Sequence, residues 1–227
     1  MNMALVTPLI TAGVGLIVGL VPFAYTVFKD GRERIERHQR EEAERREQDQ
    51  ERRQLEVEEQ RERRRIVATS CLTLLGQTMS LMESIRVDAD NADELIRIAS
   101  ESLAQLQGLT QGDLLVTFGA SSPVVWAARA CLRLVDEGLR RAEDARGQRQ
   151  TGQAASETQQ SIRHLTMEYV DPVGGPRDLL RYATEESIRR WPETLTCFEQ
   201  GWQPTAKDIA ERAGLELPAA LISPNCS

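Results

Sequence analysis

Ile66–Ile85 reads IVATSCLTLLGQTMSLMESI, and its apolar residues recur at intervals of three and four. Val67, Cys71, Leu74, Thr78, Leu81 and Ile85 form one line along a helix, and Ala68, Leu72, Leu75, Met79 and Met82 form a second beside it. Two adjacent lines make a wide apolar face, so this helix is expected at the centre of an α-helical core.

The chain downstream repeats the pattern. Asp90 or Asn91 is placed to cap a second helix, with Asp93 and Glu94 in its first turn, Leu95, Ala99, Ser102 and Leu106 facing inward, and Gly108 as its stop. Ser121 or Ser122 followed by Pro123 announces a third, which carries Val125, Ala128, Leu132, Val135, Leu139 and Ala142 at helical spacing. Arg140, Arg141 and Arg146 suit the negative C-terminal end of its dipole. Ala155, Thr158, Ile162, Leu165 and Tyr169 outline a fourth helix, which the DPVGGP turn at residues 171–176 breaks. Beyond it Leu180, Ala183, Ser187 and Trp191 mark one more. The run LLVTF at residues 114–118 has no second strand with which to pair its backbone, so it reads as helix or extended linker lying against the others. The expected fold is all-α, an antiparallel bundle of four or five helices.

Upstream of Ile66 the composition changes abruptly. Lys29–Arg65 holds thirteen basic and thirteen acidic residues, with only Ile35, Ala43, Leu55 and Val57 apolar, so it cannot bury a core. Glu33/Arg37, Glu36/Arg40, Glu41/Arg45, Glu42/Arg46, Asp49/Arg53 and Glu59/Arg63 each place the acid four residues before the base, the helix-stabilising order. No Gly or Pro occurs after Gly31 in this stretch, and a helix of its length spans roughly 55 Å at 1.5 Å per residue. The apolar residues lie eight, twelve and two apart, so no coiled-coil seam runs along it. It reads as a charged helical stalk.

Before the stalk, Ala4–Phe28 (ALVTPLITAGVGLIVGLVPFAYTVF) is twenty-five residues without a charge, long enough to cross a bilayer as one helix. Met1 to Met3 contain no Lys or Arg, unlike the basic start of a cleaved signal peptide. Seven basic residues lie between Lys29 and Arg46 and none precede the span, which orients the N-terminus outside and the rest in the cytoplasm. Thr11, Gly15 and Gly19 fall on one face of the span and allow close approach of a second copy, hence a homodimer through the membrane helix. The organisation expected is therefore a transmembrane anchor at 1–28, a stalk at 29–65, a helical bundle at 66–170 and a helical or irregular extension at 171–227.

Chemistry-bearing residues are sparse. His38 sits in the stalk and His164 beside Leu165, more than a hundred residues apart. Cys71, Cys131, Cys197 and Cys226 have no short paired spacing, which excludes a CxxC zinc site; in a cytoplasmic domain all four are expected as reduced thiols, with Cys71 and Cys131 in the core. Glu185/Glu186 and Asp136/Glu137 are adjacent carboxylates that point about 100° apart on a helix and read as solvated. No phosphate-binding loop, dinucleotide fingerprint, nucleophile elbow or zinc-protease motif occurs. Gly174, Gly175 and Pro176 ahead of Arg177 form a turn of the kind that meets an anion at a helix start. No cofactor and no metal is implied, and no catalytic residue is specified.

Thr205–Leu215, TAKDIAERAGL, resembles the first helix and turn of a helix-turn-helix DNA-binding unit, with Gly214 at the turn. That resemblance implies a second, basic helix for the major groove. The continuation ELPAALISPNCS has no Lys or Arg, and it places Pro224 near its end.

The whole net charge of -7 falls on residues 66–227, since span and stalk sum to zero. An acidic domain disfavours nucleic acid and anionic lipid as partners. Twenty-six arginines against two lysines point to a GC-rich, bacterial coding sequence, hence to a plasma membrane. The function expected is a single-pass protein that sits in the lipid bilayer and presents a cytoplasmic interaction or scaffold domain, for an unidentified cytosolic protein partner. The alternatives are a membrane-tethered enzyme or toxic effector built around Tyr169, Asp171, Arg177 and Asp178, and a membrane-tethered DNA-binding regulator.

Overall fold

A computed structural model describes residues 6–85, 90–150 and 175–223, with side chains described from Arg32 onward except at residues 33, 149 and 150. The chain divides into two compact units, Met1–Glu56 and Val57–Ser227. Helix α1 (Val6–Ser84) is followed by α2 (Ala92–Leu109), a π-helical turn (Thr110–Leu114), α3 (Leu115–Phe118), α4 (Pro123–Gln150), α5 (Pro176–Arg189), α6 (Gln203–Ala213) and a 3₁₀ turn (Ala219–Ile222). Among the described residues there is no strand, and the fold is helical throughout, as the periodicity predicts. The fourth helix expected near 155–169 lies outside the described residues, as do His164, Tyr169 and Asp171.

The first unit belongs to α1. Its described side chains are almost all solvent-exposed, because charged residues occupy every face of the helix. Glu42 takes an ion pair from Arg46 at 3.7 Å, in the order expected, and a second contact from His38 at 3.6 Å. Among the described residues no helix is long and apolar enough to cross a membrane. The apolar stretch expected to span, 4–28, carries side chains that fall outside the described set, and so do its packing candidates Thr11, Gly15 and Gly19.

The second unit starts at Val57 and holds the core. Both lines read from Ile66–Ile85 bear on it, with Cys71, Leu75, Met79 and Met82 wholly buried. Contacts give the direction of α2 against α1: Thr78 donates to the Leu74 carbonyl and shares a 2.7 Å hydrogen bond with Ser102, so the two run antiparallel from a short connection. Arg146 near the end of α4 pairs with Asp93 at the start of α2, at 3.0 Å, which sets those helices antiparallel as well. Helix α4 is central, with Val124, Val125, Cys131, Val135, Leu139 and Ala142 buried. Its start is capped as expected: the Val124 N–H donates to the Ser122 hydroxyl at 3.2 Å, and Pro123 takes the first helical position.

Gly108 does not stop α2. Helical backbone continues through the π turn and α3, and the true terminator is Gly119, whose φ of 86° suits a residue without Cβ. The continuation is favoured because Leu114 and Phe118 lie on its inner side and are buried, so ending at Gly108 would leave them in water. The LLVTF run is thus helical. The C-terminal residues pack onto the bundle rather than trail from it. Leu195, Phe198, Ile209 and Leu221 are buried, Trp126 of α4 meets Phe198 edge-on at 5.7 Å, and its indole N–H donates to the Glu216 carbonyl at 3.0 Å.

Candidate functional site

Polar chemistry in the second unit concentrates where α1 meets α5. Helix α5 begins at Pro176 after Gly175 and turns Leu179, Leu180 and Ala183 into the core, which leaves its Ser187–Arg190 end against the Arg61–Arg65 turn of α1. Arg64 is only 7% exposed. Its guanidinium lies 3.8 Å from the Trp191 ring centroid and 5.1 Å from that of Phe118, and Nη1 donates to the Ser187 hydroxyl at 3.3 Å. Burial lowers its pKa from the usual arginine value, yet the planar cation is held by stacking on two ring faces. One turn earlier, Arg61 Nη2 donates to the Trp191 carbonyl at 2.9 Å, while its Nε is buried and finds no partner among the described residues.

A second cluster is built around Glu186 of α5. Glu186 is 8% exposed and accepts from Arg189 Nε at 2.9 Å and from Arg190 Nε at 2.5 Å; Arg190 also reaches Glu199 at 2.7 Å. Arg189 first, then Arg190, hold its carboxyl below the usual carboxylate range, against the opposing effect of burial. Tyr182 stacks on Trp202 with centroids 4.8 Å apart, and burial with the charge of Glu199 pushes its phenol up to about 12. Glu186 is therefore not a solvated carboxylate, whereas its neighbour Glu185 is, paired with Arg181 at 3.1 Å. Asp136 and Glu137 behave as the solvated pair expected, each bound to the arginine four residues on.

Other residues singled out in the sequence do not assemble into one site. Arg177 and Asp178 occupy the first turn of α5, and Arg177 reaches back so that a Cβ on Gly76 would meet its Nη2 at 3.5 Å. Cys71 and Cys131 are free, buried thiols; burial pushes Cys71 up to about 12 and Cys131 higher still. Both are core residues. Cys197 departs from the expectation of a reduced thiol, since it is disulfide-bonded. Among the described residues no group of His, Cys, Asp and Glu is placed to hold a metal ion.

The segment resembling a helix-turn-helix keeps its first helix, α6, and its turn, with Gly214 left-handed at φ 58°. Past Gly214 the chain forms only the four-residue 3₁₀ turn, whose Leu221 is buried and accepts from the Phe198 N–H at 2.8 Å. No recognition helix exists among the described residues; of the segment 216–222 Leu221 is buried and Leu217 and Ile222 are half-buried.

Sequence reasoning missed the α1–α5 seam because Arg61, Arg64 and Arg65 look like three more stalk arginines. The signal that separates them is distant: Trp191 and Phe118 supply the rings, and neither is near them in sequence. Comparison of the chain with known proteins found no matching family model, no matching curated protein and no matching solved structure.

Proposed function

We propose that the chain is a single-pass membrane-anchored protein that presents an α-helical interaction or scaffold domain on a charged helical spacer. The observation that supports this reading is that α1, Val6–Ser84, is one helix that includes the apolar segment, the charged stretch and the wide face buried in the bundle. A helix that serves only a soluble core has no use for a charged stretch whose described side chains, from Arg32 to Glu56, are all exposed; a spacer between membrane and domain does. Thr11, Gly15 and Gly19 are the proposed packing face for a homodimer, and the partner of the acidic domain is a cytosolic protein. The full-length chain should remain in the membrane pellet after an alkaline carbonate wash, and release into the supernatant would overturn the anchor. Replacement of Gly15 and Gly19 by Ile should abolish cross-linked dimer in membranes; undiminished dimer would remove that face from the proposal.

The seven basic residues after the span place the domain in the cytoplasm under this proposal. One observation favours the reverse orientation: Cys197 is disulfide-bonded, and structural disulfides persist mainly in oxidising compartments. The two orientations are separable with Val116→Cys, a site 74% exposed on α3. A membrane-impermeant maleimide should label it only after lysis if the domain is cytoplasmic. Labelling of intact cells would establish the reverse.

A further inference from the structure

The seam between α1 and α5 carries more positive charge than its own carboxylates balance. Arg64 is buried against two rings and a serine hydroxyl, all neutral, and Arg61 bonds to a backbone carbonyl and ion-pairs with no carboxylate among the described residues. Guanidinium groups withdrawn from water without an anion are costly, so a bound anion at this place would relieve the cost. Beside them opens a cleft of about 550 Å³ lined by Arg61, Arg65, Glu185, Ile188 and Arg189. Its one carboxylate is taken up by Arg181. Arg65 has an exposed contact to Glu62 at 3.7 Å, which is weak and easily exchanged.

We propose that this cleft binds the phosphate group of a small organic phosphate monoester. Arg61 and Arg65 stand one helical turn apart on α1 and both line the cleft, while Arg189 on its α5 side is already engaged by the Glu186 carboxylate. Guanidinium forks match phosphate oxygens in pairs and retain their charge at every working pH. Ile188 provides an apolar wall for the organic part of the ligand, and the cleft has the volume typical of small-molecule sites. The domain's net negative charge repels extended polyanions such as nucleic acid, whereas a compact phosphate beside Arg61 and Arg65 feels mainly their local field. The same chemistry could be offered by a free metabolite or by a phosphorylated side chain.

The test uses full-length protein in detergent micelles at constant ionic strength, with inorganic phosphate as the first probe and Trp fluorescence as readout, since Trp191 lines the seam. Millimolar phosphate should give a saturable change that equal chloride does not, and Arg61→Gln with Arg65→Gln should weaken it tenfold or more. Arg141→Gln, remote on α4, should leave it unchanged. Glycerol 1-phosphate and a phosphoserine peptide form the other arms: tighter binding of the first assigns a metabolite, and of the second a modified side chain. If the Arg61 variant fails to fold by circular dichroism, Arg65→Gln, at an exposed position, carries the test alone. A wild-type response equal to that of chloride, or folded variants that bind as well as wild type, would overturn the site.

Discussion

Two glycines make opposite demands on their backbone. Gly108 is helical, and a Cβ added there meets nothing within 4 Å, so Gly108→Ala should raise stability by about 0.5–1 kcal/mol through helix propensity. Gly214 holds φ 58° at the end of α6, and Gly214→Ala should cost about 1 kcal/mol although its surroundings are equally open. Denaturant midpoints followed by Trp fluorescence would check the pair, and midpoints that move in the same direction would refute it. Glu186 makes a pH prediction. Its folded carboxyl binds protons more weakly than the ordinary value of 4.5, so its stabilisation is present above that value and is lost as pH falls through the depressed folded one. Glu186→Gln should remove about 1.5–3 kcal/mol at neutral pH and flatten the acid limb of a stability-against-pH curve. A variant with the same acid limb as wild type would show that Glu186 is not the group responsible. The deep burial of Cys71 and Cys131 gives a third test: both thiols should resist iodoacetamide in the native protein and react only when denaturant opens the core.

At the scale of elements, α1 has two kinds of surface on one backbone. From Arg32 to Glu56 its described side chains are exposed; beyond Val57 Arg64, Val67, Ala68, Cys71 and Leu75 are buried. Leu75 has no solvent exposure, and Leu75→Ala should cost about 2–5 kcal/mol, read as a shift of the denaturation midpoint. The helical core face was legible from residues 66–85 because a period near 3.6 with apolar residues on one side has few other solutions. The helix starts were legible at Ser122 and Pro123 for the same local reason. The stop of α2 was not, since Gly108 ends a helix only if the residues after it have nothing to bury. Leu114 and Phe118 did, and their burial outweighed a local glycine signal worth about 1 kcal/mol.

For the whole molecule, the division into Met1–Glu56 and Val57–Ser227 predicts two kinds of melting. Trp126, Trp191 and Trp202 all belong to the second unit, so Trp fluorescence should report one cooperative transition. Ellipticity at the helix band should show in addition a sloping, salt-sensitive loss from the charged stretch, where helix rests on local pairs rather than on packing. Coincident sigmoids by both probes would contradict that division.

The sequence by itself determined the helical class, the charged stretch with no core to bury, the inward faces of α2 and α4 and the acidic balance of the domain. Each of these rests on periodicity or composition, which act within one or two helical turns. Only the tertiary structure decided that Arg64 is stacked between Phe118 and Trp191, that Glu186 is buried while Glu185 is solvated, and that the residues after Gly214 pack as a 3₁₀ turn. The first of these depends on side chains more than a hundred positions apart, Arg64 and Trp191, and an arginine in a charged run carries no local mark of the rings that will meet it.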